Sequence, residues 1–218
     1  MRAAFIAEGK SERALIGVLE QLCRRAGVDE VEIEWAQDLL VHFDRLGKQL
    51  GPRIQTLLTH DPDFDLLFIH RDADQAGLEA RRAEIDEALA SCPGSPGCVR
   101  VIPVRETEAW LLADPRPLRD VVGNPGRSND LGLPRKPAQI EACSDPKQAL
   151  RDSLARASLS SRKHKLKTLT NTQFGEFRAR LLEQLDIDGP VTKLDSWQRL
   201  LEELESACAW LAQRELPD

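Results

Sequence analysis

The chain has 218 residues, of which 41% are hydrophobic and 30% are charged, and its mean hydropathy is -0.39. This composition excludes a disordered chain, and the length suits one sizeable core with an appended subdomain. No apolar run approaches the roughly 18 residues of a membrane span, and the first residues lack the apolar stretch of a signal peptide. We therefore expect a cytoplasmic protein that does not contact membranes. Five cysteines, none in a CxxC pair, indicate neither a disulfide framework nor a zinc site.

Charge is distributed unevenly along the chain. The formal net charge of -6 argues against a protein that coats nucleic acid through charge alone. Residues 147–180 nevertheless carry nine Lys or Arg against two acids, so the rest of the chain is strongly acidic. An acidic part beside a basic segment is typical of a metal-dependent enzyme that acts on a polyanion. A solvated basic helix face is the simpler alternative.

The apolar pattern predicts alternating strands and helices in chain order. A helix preceded by Ser11 follows the first strand, a second spans 39–58 with a break at Gly51-Pro52, and a third ends near Ala90. The predicted strands are residues 3–7, 31–35, 66–69 and 99–104. Further helices are predicted at 108–112, 149–159, 174–185 and 197–211.

Alternation of this kind predicts an α/β fold with a mainly parallel sheet flanked by helices. Residues 114–145 are dense in Pro, Gly, Asn and Asp, which favours a long irregular connecting loop. Residues 146–218 are predicted to form an α-helical C-terminal subdomain. The strands therefore belong to a first domain at 1–113.

Pairs of acidic residues follow three of the predicted strands. Ligands bind at the carboxyl ends of parallel strands, and carboxylates gathered there repel one another unless a cation neutralises them. Hard oxygen donors select Mg2+ or Mn2+ over zinc, and such an ion can activate water or, as a pair, clamp a transferring phosphoryl group. The six candidate metal ligands are Glu8, Glu12, Asp72, Asp74, Glu106 and Glu108.

The spacing within each pair has a physical reason. Glu8 and Glu12 are four residues apart, the separation that puts two side chains on one helix face. Asp72 and Asp74 point to the same side of an extended segment. Each pair alone also fits solvated loop or helix acids. An alternative for the third pair is ion pairing of Glu106 and Glu108 with Arg105 and Arg71.

Two motifs carry a resemblance to a known fold. The segment EGKSE after the first strand and DADQAG after the central strand resemble the Toprim fold of topoisomerases, primases and overcoming-lysogenization-defect nucleases. Glu8 and Glu12 match the first family motif, with Glu12 where these nucleases often carry Asp, and Asp72 and Asp74 match its DxD motif. The segments VRETEAWLLAD and TKLDSWQRL are similar to a bacterial Toprim-like family often encoded beside an ATPase in defence loci.

The resemblance implies a Toprim-like catalytic domain at 1–113 that cleaves nucleic-acid phosphodiesters with Mg2+ or Mn2+. It implies Glu8 as metal ligand or general base, Asp72 and Asp74 as catalytic metal ligands, and an anti-phage defence module as the setting. The chain has no tyrosine, which excludes a tyrosine-linked topoisomerase. It has no GxxxxGK[ST] motif, so ATP use would fall to a separate ATPase subunit.

A basic run within residues 162–167 is the candidate contact to the nucleic acid, with DNA favoured. Two other functions stay open: a phosphatase or phosphotransferase with Asp72 as nucleophile, and a non-catalytic protein-binding subunit of an ATPase complex. The sequence also leaves a homo-oligomer open. The candidate backbone-binding residues are Arg162, Lys163, Lys165 and Lys167.

Overall fold

The computed structural model describes residues 1–41, 47, 49–158 and 169–214. The chain divides into two compact units. The first unit comprises Met1–Ile102 with Arg199–Asp218, and the second comprises Pro103–Gln198.

A four-stranded parallel sheet, counted over the described residues, forms the centre of the first unit. Its strand order is β2-β1-β3-β4, and each neighbouring pair is parallel. All five residues of β3 are buried, as expected for an apolar run covered on both faces. The predicted α/β class with a parallel sheet and flanking helices is confirmed. The strands are β1 (Arg2–Ile6), β2 (Glu32–Trp35), β3 (Leu66–His70) and β4 (Gly97–Val101).

Helices flank this sheet. The predicted helix after the first strand begins as the 3-10 helix Lys10–Leu15 and continues as α1 (Ile16–Arg25). The next helices are α2 (Ala36–Leu40), α3 (Leu50–His60) and α4 (Leu78–Ala90). The predicted helix at 39–58 is interrupted as expected, but the break lies at the extended residue Gln49 rather than at Gly51-Pro52. Pro52 falls in the first turn of α3, where no backbone N–H is needed.

One hydrophobic cluster of the first unit lies between the sheet and helices α3 and α4. Apolar residues of β1 and β3 pack there against residues of these helices that recur every three or four positions. Members of this cluster include Ile6, Leu67, Ile69, Leu50, Ile54, Leu57 and Ile85. The spacing of apolar residues in α3 therefore identifies the face of this helix that packs against the sheet.

The outer edge of β4 is covered by the second part of helix α10 (Asp195–Arg214). The carboxylate of Glu203 accepts a hydrogen bond from the backbone N–H of Arg100 at 2.8 Å. It also pairs with the guanidinium groups of Arg100 and Arg82, each at 3.1 Å. Because an exposed strand edge offers unpaired N–H groups to other chains, this contact protects the sheet.

The second unit is helical in the residues that the structure describes. Its helices are α5 (Glu108–Leu111), α6 (Pro115–Val121), α7 (Pro137–Glu141), α8 (Pro146–Ser158) and α9 (Asn171–Glu183), followed by the 3-10 helix Pro190–Lys193 and the start of α10. Trp110 and Trp197 pack edge to face with ring centroids 5.1 Å apart, and Trp110 Nε1 donates to Ser196 Oγ at 3.0 Å. These buried aromatic rings form the centre of the unit.

The unit boundaries differ from the predicted divisions at 113 and 145. Residues 114–145 contain α6 and α7 rather than only irregular structure. Pro115 starts α6 because Asp114 caps the helix by accepting from the Arg116 backbone N–H at 2.9 Å. The last helix belongs mainly to the first unit, because its contacts with Arg82 and Arg100 are made there. Within the described chain, no helix combines the length and hydrophobicity needed to cross a membrane.

Replacing Glu203 with glutamine tests the protection of β4. The Glu203→Gln variant removes the charge that accepts from the Arg100 backbone and pairs with Arg82, so we expect a loss of about 1–3 kcal/mol in the free energy of unfolding. Urea unfolding followed by circular dichroism measures this loss. Glu202→Gln is the matched control, because Glu202 is the exposed neighbour on the same helix. Equal stability of the two variants would contradict the interpretation.

Candidate active site

Parallel pairing brings two loops to one edge of the sheet. β1 and β3 are neighbours, with Ile6 opposite Ile69 near their carboxyl ends. The loop and 3-10 helix after β1 carry Glu8 and Glu12, and the turn after β3 begins at Arg71. Because both strands run in the same direction, the residues that follow them lie at the same end of the sheet.

Two of the predicted ligands meet at a buried histidine. Nε2 of His70 lies 3.8 Å from Oε2 of Glu12 and 3.5 Å from Oδ1 of Asp72. His70 is fully buried and its ring lies edge-on to that of Phe5, with centroids 6.4 Å apart. The Ser11 hydroxyl donates to Oε1 of Glu12 at 3.0 Å, which orients this buried carboxylate. Carboxylates from separate loops thus converge on one imidazole nitrogen.

Glu8 lies at the same edge and faces an arginine. Its side chain is 45% exposed, and its Oε1 is 3.8 Å from Nε of Arg71, which is almost fully buried. Nε of Arg71 also donates to Oε1 of Glu84 at 2.9 Å. Arg81 donates to the other oxygen of Glu84 at 2.8 Å and to the backbone carbonyl of Asp72 at 2.9 Å. The two arginines therefore tie α4 to the loops after β1 and β3.

Glu84 stays ionised because of these arginines. Burial raises the pKa of its carboxyl, but hydrogen bonds from Arg71 and Arg81 outweigh that effect and hold the pKa below its ordinary value. Burial lowers the pKa of Arg81, and the hydrogen bond to Glu84 with the charges of Glu8 and Asp74 reverses this and raises it. Glu8 and Asp74 are therefore both close enough to act on the same guanidinium.

Asp74 occupies an exposed turn between β3 and α4. Its φ of 46° lies in the left-handed region, which aspartate tolerates better than most residues. Gly77, with a φ of 84°, ends the turn where α4 begins, and only glycine adopts that conformation readily. This turn connects the end of β3 to the start of α4, and Asp74 is exposed to solvent within it.

Glu106 and Glu108 lie in the second unit. Oε1 of the buried Glu108 accepts from Nε of Arg178, also buried, at 2.9 Å. Oε2 of Glu106 accepts from the backbone N–H of Lys147 at 3.2 Å. Burial, followed by the charge of Glu108, raises the pKa of Glu106. The sequence offers ion pairing with Arg105 and Arg71 as the alternative to metal binding for this pair. Glu108 does form an ion pair, but its partner is Arg178.

The oxygen atoms at the sheet edge are of the type that binds divalent cations. Glu12 and Asp72 supply hard carboxylate oxygens, which Mg2+ and Mn2+ prefer, at one point of the edge. Over the described ranges, no group of three or more His, Cys, Asp or Glu side chains is arranged as a metal-binding cluster. Two of the six predicted ligands therefore meet, and the metal itself belongs to the proposal below.

The predicted nucleic-acid contacts lie outside the described residues. Residues 159–168 are not described, and they include Arg162, Lys163, Lys165 and Lys167. The same holds for two of the four histidines, His42 and His164.

Sequence reasoning missed Arg53, a charged residue in the core-facing stripe of α3. Arg53 is 9% exposed and lies in register with the buried Leu50, Ile54 and Leu57. Its Nη1 donates to the carbonyl oxygen of Ala7, directly after β1, at 3.1 Å. The sequence signal that could have identified Arg53 is its place among the apolar residues of one helix face, because charged residues are rarely buried without a partner or a role.

Comparison of the chain with protein-family models, with curated proteins and with solved structures gives no match in any of the three. The function is therefore argued from the site and from the motifs.

The pair between Glu108 and Arg178 predicts a structural role. Glu108→Ala removes the buried carboxylate that accepts from Nε of Arg178, so we expect a loss of about 3–5 kcal/mol in the free energy of unfolding. The double variant Glu108→Met/Arg178→Met removes both charges, so we expect it to be more stable than the single variant. Urea unfolding of both variants measures the difference. A loss below about 1 kcal/mol for Glu108→Ala, as at an exposed pair, would contradict the structural role.

Proposed function

We propose that this chain is a metal-dependent nuclease that hydrolyses nucleic-acid phosphodiester bonds, with a Toprim-like domain built on the parallel sheet. The observation that carries the proposal is the meeting of two carboxylates at one point of the sheet edge. Glu12 and Asp72 come from loops that are 60 residues apart in sequence, and both lie within 3.8 Å of one nitrogen of His70. The all-parallel sheet with flanking helices supports the Toprim-like assignment.

In this proposal Glu12 and Asp72 hold Mg2+ or Mn2+, and Asp74 lies exposed in the turn after β3. The ion, when bound, supplies a Lewis acid that neutralises charge on the phosphate and lowers the pKa of bound water. Glu8 is the general base, because its exposed carboxylate can accept a proton from a water molecule that reaches the edge from solvent. Arg71 forms ion pairs with both Glu8 and Glu84, and the pair with Glu8 positions this carboxylate at the edge.

The arginines of the edge support a polyanionic substrate. Arg71 and Arg81 place two positive charges beside the acidic loops, and positive charge attracts a polyanion. The basic residues Arg162, Lys163, Lys165 and Lys167 are proposed to bind the backbone of the nucleic acid. Action with a separate ATPase in an anti-phage defence module rests on the sequence resemblance alone, and action in the cytoplasm rests on the apolar pattern of the sequence.

Cleavage assays with metal-site variants test the proposal. Plasmid and oligonucleotide substrates are incubated with the full chain in Mg2+, Mn2+ or EDTA, with and without the partner ATPase. We expect strand scission only with metal, and a loss of about 100-fold or more in Glu8→Gln, Glu12→Gln and Asp72→Asn, because each removes a ligand or a general base. Glu87→Gln, an exposed acid on α4, is the matched control and should cleave like wild type.

Other outcomes of this assay point to the other functions. Phosphate release from small esters that needs Asp72 but not Glu8 would favour a phosphatase in which Asp72 is the nucleophile. The observation that favours testing the phosphatase function is the position of Asp72, whose Oδ1 lies 3.5 Å from Nε2 of His70. Metal-dependent scission that persists in Asp72→Asn, or no scission in the presence of the ATPase, would contradict the nuclease proposal. The latter result would favour a protein-binding subunit.

A further inference from the structure

Two buried guanidinium groups lie at the carboxyl ends of neighbouring strands. Nη1 of Arg53 donates to the carbonyl oxygen of Ala7, which follows β1, at 3.1 Å. Nη1 of Arg71 donates to the carbonyl oxygen of His70, the last residue of β3, at 3.2 Å. Arg53 is 9% exposed and Arg71 is 1% exposed. Because β1 and β3 pair directly, the backbone carbonyls hold the two positive charges at the same edge as the acidic loops.

The two arginines differ in how their charge is balanced. Arg71 has Glu84 at 2.9 Å and Glu8 at 3.8 Å. Among the residues that the structure describes, no carboxylate forms an ion pair with Arg53. Burial and the charge of Arg71 both lower the pKa of Arg53, while the charge of Glu8 opposes them. A buried cation without a counter-charge destabilises a fold, so a ligand that supplies negative charge would relieve this cost.

A structural role does not account for the charge of Arg53. The Ala7 carbonyl that it contacts already accepts a hydrogen bond from Nε2 of Gln37 at 2.5 Å. A neutral amide therefore satisfies the end of β1, and a second neutral donor would serve as well as a guanidinium. The feature that remains unexplained is the positive charge of Arg53, which lies at the same sheet edge as Arg71.

We propose that Arg53 binds a phosphate group of the nucleic-acid substrate, that its charge is reserved for this phosphate, and that the buried Arg71 adds positive charge at the same sheet edge. The planar guanidinium of Arg53 offers paired N–H donors that match the oxygens of a phosphodiester. The identity of the substrate rests on the proposed function, whereas the presence of an anion site rests on the two arginines. Arg53 is then a substrate-binding residue that sequence motifs did not mark.

Binding measurements without cleavage test this site. Fluorescence anisotropy of a labelled duplex oligonucleotide is measured in EDTA, from about 50 to about 200 mM salt, with the full-length chain. Arg53→Met keeps a long side chain and removes the charge. We expect this variant to bind the oligonucleotide about tenfold more weakly than wild type. We also expect the slope of log affinity against log salt concentration to be smaller by about 1. Arg53→Lys keeps the charge but loses the planar pair of N–H donors, so its affinity should lie between those of Arg53→Met and wild type.

Gln37→Leu is the matched control, because it removes the other donor to the Ala7 carbonyl without a change in charge. It should bind like wild type. Thermal unfolding supplies a readout that separates binding from structure: we expect the Tm of Arg53→Met to equal or exceed that of wild type, since an uncompensated buried charge is removed. A large fall in Tm for Arg53→Met, or affinity and salt dependence unchanged from wild type, would overturn the proposal.

Inorganic phosphate separates failure of this site from failure of the proposed function. If wild type binds no oligonucleotide but phosphate raises its Tm and does not raise that of Arg53→Met, the anion site stands and the nuclease function fails. If wild type cleaves nucleic acid and Arg53→Met binds it as tightly, the function stands and the role of Arg53 fails. The absence of both oligonucleotide binding and a phosphate effect would overturn the anion site as well.

Discussion

Parallel pairing of β1 with β3 is the constraint on which the site depends. Both strands are buried over nearly their whole length, so their register is fixed by the core on either face. The pairing carries the residues after each strand to one edge, where Glu12 and Asp72 approach the same atom of His70. A slip of one residue would turn the apolar side chains of a strand to the opposite face and move the acidic loops away from each other.

Polar contacts of His70 and the charges of two arginines hold the acidic loops in place. His70 lies between Glu12 and Asp72, and Arg71 and Arg81 share the carboxylate of Glu84. These contacts limit the repulsion expected among neighbouring carboxylates. Because the arginines also anchor α4 to the strand ends, the electrostatics of the edge and the packing of the helix depend on the same residues.

The sequence predicted the strands and the two loops well, because continuous apolar runs and the following acidic motifs are local signals. It could not predict the pairing of Glu108 with Arg178, since those residues are 70 positions apart and no local pattern links them. The unit boundaries were missed for a similar reason: Glu203 returns to cover β4 from more than 100 residues away. His70 ends an apolar strand, and no local pattern predicts its contacts with two carboxylates.

The central claim is that Glu12 and Asp72 bind one divalent ion together. Titration of Mn2+ into the full chain, followed by isothermal calorimetry, tests it most directly. The account predicts saturable binding to wild type and to Glu87→Gln, and an affinity weaker by about tenfold or more in both Glu12→Gln and Asp72→Asn, as expected when a metal site is altered. Binding that neither substitution changes, or no binding to wild type, would contradict the claim.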